Sequence, residues 1–343
     1  MAEIGKYIYG IINSAPHFFI GGGANGTYPI SYQDISAVVS DSEIVDYDYI
    51  LKDTLARLLV RHQEVIERIM GLGYAIIPLR LGTFALNEDE VRDILSKGYS
   101  IIKEVLNKTF DKIEIDVAVT WSDFNYVLKE IGEEEKIKEF KQLLLNKKEG
   151  VTVDDQMKIG VMVKKTLDEK REKYANKIQV SLSEVSEDIR VHELMDDKMV
   201  CNIAFLINKT KQKDFDKKVQ DLNNEFAEKL NFRCVGPLPP YSFYTLEVKK
   251  MEFEEIDWAR KKLGLLNDFT TKDEIKKAHR KQALSFHPDK NPNTPGMEKE
   301  FDEVTKAYKI FVDYFKACEQ AGQRSSFKEE EFKKSLILVK LRQ

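Results

Sequence analysis

Three consecutive residues, His287, Pro288 and Asp289, carry the most pointed chemistry in the 343-residue chain. An imidazole and a carboxylate on either side of a proline form a compact polar turn. Both groups can make charge-assisted hydrogen bonds to a partner. Lys276, Lys277, Arg280 and Lys281 precede the turn at helical spacing and form one basic stripe. Such a stripe steers encounter with an acidic surface. This is docking chemistry rather than bond-breaking chemistry. The plain alternative is that His287 only ends a helix, because the residue before a proline is biased out of the helical region.

Other reactive residue types are scattered. His17, His62 and His192 have no second ligand at metal spacing, so neither a metal nor a cofactor is expected. Cys201, Cys234 and Cys318 are odd in number and far apart, which reads as reduced thiols in a cytoplasmic protein. No Ser/His/Asp or Cys/His arrangement can be argued. The run Gly21-Gly22-Gly23-Ala24-Asn25-Gly26 lacks a following Gly-Lys-Ser/Thr and reads as a loop, not a phosphate cradle. A formal net charge of -4 offers no footprint for nucleic acid. From Tyr7 to Gln33 there is no charge, but Pro16, Pro29 and the glycines bar an unbroken apolar helix. A strand followed by a loop is expected there, with no membrane span and no signal peptide.

The elements that must position these residues follow from periodicity. At 343 residues, 42% apolar and 33% charged, the chain suits two or three soluble domains. Strands are predicted over 7–12, 35–39, 75–79 and 113–121, and helices over 49–70 and 88–106. In the last of these strands Ile113, Ile115, Val117 and Val119 alternate with Glu114, Asp116 and Ala118. Residues 122–181 are strongly charged and read as two helices forming an arm or hairpin with solvated faces. A coiled-coil dimer is disfavoured because no sustained heptad is present. Further strands fall at 200–207, 232–235, 244–248 and 335–341, with a helix over 214–230. The class is α+β: two small ferredoxin-like α+β domains, 1–121 and 191–251 plus 335–343, joined by a charged helical arm at 122–190. A three-helix module at 252–334 is inserted before the last strand. Anchorage at both ends holds such an insertion in a more defined orientation than a tail.

Four segments occur in a telling order: Tyr9-Gly10-Ile11, Ile35-Ser36-Ala37-Val38-Val39, Ile77-Pro78-Leu79-Arg80-Leu81-Gly82-Thr83-Phe84, and Gly236-Pro237-Leu238-Pro239-Pro240-Tyr241-Ser242-Phe243. Together they resemble the F/L family of gas-vesicle proteins over about residues 4–250. Leu238 departs from the Trp that the family more often has. The resemblance implies a role in gas-vesicle formation, in the cytoplasm and associated with the vesicle. It implies contact with the small, very hydrophobic shell protein and with other gas-vesicle accessory proteins, and no enzymatic activity. Physically, Gly236, Pro237, Pro239, Pro240, Tyr241, Ser242 and Phe243 read as a structural motif, since prolines fix backbone dihedrals before a strand.

The segment around His287 carries a second resemblance. A short helix over 258–266 ends at a Leu263-Gly264-Leu265 turn. Thr271 with Glu274 forms a capping box for a helix over 272–286. A polar loop follows, then a helix over 298–319 with Phe301, Val304, Ala307, Tyr308, Phe311 and Phe315 on its apolar side. This set is similar to the J-domain family over about 257–318. The resemblance implies a helical hairpin that docks on a DnaK-type chaperone and stimulates its ATP hydrolysis. His279, Gln282 and Phe286 depart from the Tyr, Leu and Tyr usual in that family. Gln282 bears on hairpin stability, because a polar group facing a core needs a partner. Combined, the two resemblances lead to a gas-vesicle assembly factor that binds shell protein and recruits a DnaK-type chaperone. A minor structural component of the vesicle shell and a general J-domain co-chaperone are the competing readings. The first predicts co-purification with washed vesicles, and the second predicts many unrelated clients.

Overall fold

A computed structural model describes residues 3–13, 26–45, 50, 52–147, 150–265, 270–290, 294–332 and 336–342. His17, the glycine-rich run at 21–25 and the polar loop at 291–293 lie outside the described residues. In chain order the elements begin with β1 (Ile4–Asn13), β2 (Tyr28–Tyr32), β3 (Ile35–Glu43), α1 (Lys52–Gly71), β4 (Ile76–Pro78), β5 (Phe84–Ala85) and α2 (Glu88–Thr109). Then come β6 (Lys112–Trp121), α3 (Phe124–Gly132), α4 (Glu135–Leu145), α5 (Val153–Ser183), β7 (Asp188–Val191), β8 (Met199–Asn208), α6 (Gln212–Glu225), β9 (Leu230–Leu238) and α7 (Tyr241–Tyr244). The last are β10 (Leu246–Met251), α8 (Phe253–Leu263), α9 (Lys272–Phe286), α10 (Met297–Ala321) and β11 (Leu336–Leu341).

The chain forms two units, one of Met1–Lys108 with Tyr244–Gln343 and one of Thr109–Phe243. In the first, an antiparallel sheet has the order β2-β3-β1-β4, with β5 also on β1. β1 is apolar almost throughout because it is the central strand, and Ile8 and Ile11 are buried. β10 and β11 form a separate antiparallel ribbon. Side chains alternate along β11, so its two faces fill two cores. Ile337 and Val339 join Ile8, Ile11, Val91, Leu95 and Ile102 in the core under β1 and α2. Leu336 and Leu338 join Ile256, Leu263, Ile275, Val304 and Phe311 in the core of α8, α9 and α10. The helix α2 comes so near β11 at Gly98 that a Cβ there would lie 2.8 Å from a Val339 methyl.

The second unit is a four-stranded antiparallel sheet in the order β7-β8-β6-β9, with α5 between β6 and β7 and α6 between β8 and β9. That is a split β-α-β pattern, the ferredoxin-like arrangement. The first unit is α+β by another route, with its helices after β3 and β5.

Three expectations are corrected. The strand over 112–121 is the centre of the second sheet, pairing with β8 and β9, and does not close the first domain. Its long apolar alternation needs a neighbour on each edge, and β8 and β9 supply them. Residues 122–190 are likewise no connector: α3, α4 and α5 belong to the second unit, where Leu167, Ile178 and Leu182 of α5 are buried. The final strand pairs with β10, and this ribbon lies in the first unit rather than completing the second sheet.

Candidate functional site

The helix α9 begins where a capping box places it. The Thr271 side chain accepts from the Glu274 N–H at 3.2 Å, and the Glu274 carboxylate accepts from the Thr271 N–H at 2.8 Å. α9 ends at His287, whose φ of -61° and ψ of 128° are extended, as a residue before proline prefers. Pro288–Lys290 then form one tight 3-10 turn. The Asp289 N–H donates to His287 Nδ1 at 3.2 Å, and the Lys290 N–H donates to the His287 carbonyl at 3.0 Å. The imidazole packs edge-on against Phe301 of α10, with ring centroids 5.5 Å apart. His287 is thus half-buried and oriented, while Asp289 is exposed.

Lys276, Lys277, Arg280 and Lys281 are all exposed, so the structure brings the basic stripe and the His287–Asp289 turn onto one helix and its end. Behind them, α8 closes on Gly264, which takes the left-handed conformation (φ 69°) that glycine tolerates. Lys262 binds Glu300 at 2.7 Å and also Glu303, joining α8 to α10. His279 stacks on Tyr308 with centroids 4.3 Å apart, and its buried Nε2 has no partner among the described residues. Burial holds its pKa below the usual histidine range. Gln282 is half-buried with its amide near Gly264, so it lies against the turn after α8.

The same helices are tied to the ribbon. Gln320 of α10 donates to the Val339 carbonyl at 2.7 Å and accepts from the Val339 N–H at 3.0 Å, acting as a strand would on that edge of β11. Asp313 pairs with Lys340 at 2.8 Å. From the other side, Glu90 of α2 pairs with Lys250 of β10 at 2.8 Å. The Arg80 N–H donates to the Leu246 carbonyl at 2.9 Å, and its guanidinium meets Glu247 at 3.0 Å.

The proline-rich segment lies in the second unit and is built around a buried acid that the sequence pattern did not single out. Ser242 donates its N–H (2.8 Å) and its hydroxyl (2.7 Å) to the Glu114 carboxylate. His192 Nε2 lies 3.1 Å from the Ser242 hydroxyl oxygen. Gly236, joined to Pro237 by a cis peptide, has φ of 154°, and a Cβ on it would come within 2.9 Å of the Glu114 carbonyl. Burial, opposed by the Ser242 bonds, raises the Glu114 pKa, with the neighbouring Asp116 adding to the rise. Pro239 and Pro240 are buried beside them.

A family model described as gas vesicle synthesis protein GvpL/GvpF matches residues 5–245. The chain belongs to that family. A second model, the DnaJ domain, matches residues 261–317. Gas vesicle protein F of Microcystis aeruginosa is 22% identical over 192 residues, covering 55% of this chain and 78% of that protein. Its counterpart from Haloferax mediterranei is 21% identical over 247 residues, covering 71% and 94%. The chaperone protein DnaJ of Ehrlichia ruminantium is 49% identical over 51 residues, which is 15% of this chain and 13% of that protein. The crystal structure of gas vesicle protein GvpF from an Anabaena species superposes with a TM-score of 0.61 at 23% identity, covering 70% of this chain and 97% of the other. This GvpL/GvpF family member therefore carries a J-domain, and the β10–β11 ribbon that joins the two lies outside both matched ranges. Among the described residues no helix is long and apolar enough to cross a membrane, and no group of three or more His, Cys, Asp or Glu could hold a metal ion.

Proposed function

We propose that this protein is a gas-vesicle assembly factor that holds the hydrophobic shell subunit while its J-domain recruits a DnaK-type chaperone. The observation that carries the reading is the state of the J-domain. Its His287–Asp289 turn is intact, the basic stripe of α9 faces solvent, and the opposite side of the module is fixed to the N-terminal sheet by a shared ribbon. A docking surface left open on a module fixed from behind suits the delivery of a client to an ATP-driven machine. Shell subunits need such care because an exposed apolar strand pairs readily with its own copies. The protein acts in the cytoplasm at the growing vesicle, together with other gas-vesicle accessory proteins.

The test is ATP hydrolysis by a cognate DnaK-type chaperone with the full chain added, in parallel with aggregation of the shell protein. Wild type accelerates hydrolysis and delays aggregation, and His287→Gln loses the acceleration while still binding shell protein. Absence of acceleration by wild type sinks the chaperone arm. Absence of shell-protein binding sinks the client arm.

A further inference from the structure

The first turns of α5 carry an apolar stripe that this fold leaves uncovered. Val153, Met157 and Val161 recur every four residues and keep 72%, 60% and 69% of their surface. Leu167, Ile178 and Leu182 further along the helix are buried; Val180 is exposed there too, but its neighbours one turn away are polar, so the continuous stripe belongs to the first turns. Leu143 and Leu145, at the end of α4, are exposed as well. Gly160 sits inside the stripe, seven residues after Val153, and a Cβ there would meet nothing within 4 Å. Glycine within a helix is unfavourable relative to alanine. Nothing packed against Gly160 among the described residues accounts for it.

We propose that this stripe pairs two copies of the chain, with α5 crossing α5 antiparallel beside Gly160. A crossing centred between Met157 and Gly160 lays each Met157 over the other copy's Gly160, where the missing side chain leaves room for it. The two-fold operation repeats every contact. It brings Asp154, which pairs with Lys158 one turn along at 2.7 Å, within reach of Lys165 of the second copy, twice. Lys165 is free to change partners: its ion pair with Glu169 is long, 3.9 Å, and its side chain is 76% exposed. One short crossing needs no sustained heptad, which is why the charged arm reads as solvated in the sequence. The pairing uses the second unit only and does not depend on chaperone recruitment.

Sedimentation equilibrium of the full chain, up to about 100 µM, decides the matter. Wild type shows a reversible monomer–dimer equilibrium. Met157→Lys raises its dissociation constant by roughly tenfold or more. Gly160→Leu does the same although leucine is the better helix former, a result that a monomeric helix would not give. Asp154→Lys weakens pairing, and Asp154→Lys combined with Lys165→Asp restores it. A wild type that stays monomeric throughout overturns the proposal, and so does a dimer that Met157→Lys and Gly160→Leu leave intact.

Discussion

Replacing Leu338 with alanine should loosen the J-domain from within the ribbon. Leu338 is fully buried on the face of β11 that packs into the core of α8, α9 and α10. Truncation to a methyl group forfeits the transfer free energy of the lost carbons, and the cavity left behind adds to it, for about 2–5 kcal/mol in all. Native-state hydrogen exchange reads this locally. Amides in the middle of α10, around Val304 to Tyr314, should exchange roughly 30-fold faster or more, following the lower end of that range. Amides of β1 should accelerate too, since Ile337 and Val339 on the opposite face of the same strand fill the core beneath it. Those of β6 and β8, in the other unit, should not change. If α10 keeps its protection, the module is stable without the ribbon and the fused arrangement carries no energetic weight. Equal acceleration in β6 and α10 would mean that the two units open together, which also refutes the reasoning.

Two further outcomes follow from buried polar groups. His62 accepts or shares a 2.7 Å hydrogen bond with the Tyr7 hydroxyl, and burial pushes its pKa down to about 4, against 6.5 for an unburied histidine. Because the unfolded chain takes up the proton first, stability is complete above the unfolded value and declines as pH falls from 6.5 towards 4. The loss between pH 7 and pH 5 should be about 2 kcal/mol in urea denaturation. A His62→Gln variant whose stability keeps the same pH slope would assign the effect elsewhere. Ser242→Ala removes one of the two donors that Ser242 offers to buried Glu114 and should cost ~1–3 kcal/mol of stability in the second unit. An unchanged unfolding midpoint would reject a structural role for the proline-rich segment.

Local chemistry was legible in the sequence, and pairing between distant segments was not. The capping box at Thr271 and Glu274, the helix end at His287 before Pro288 and the turn at Gly264 each depend on a few neighbouring residues. All three stand where the residue pattern puts them. Strand partners depend on segments far away in the chain. β6 therefore reads as the end of one domain when it is the middle of the next. Glu114 shows the same limit at the scale of one side chain. Its place in an alternating strand marks it as outward and solvated, yet it is only 1% exposed because the segment ending at Ser242 folds over it. Short strands were missed for a simpler reason: β5 and β7 have too few residues for a period to show.

The division of β11 between two cores also constrains the order of events on the ribosome. Ile337 and Val339 complete the hydrophobic interior begun by β1, yet they are translated more than three hundred residues later. Until then the N-terminal sheet lacks part of its interior and its opening helix-and-strand segments must wait. The helices α8 to α10 are built largely from nearby contacts, the kind that form fastest. Those helices can begin to form before β11 is translated, but their core closes only when Leu336 and Leu338 arrive on the same strand. An interrupted chain would then present its His287–Asp289 turn beside an open apolar sheet.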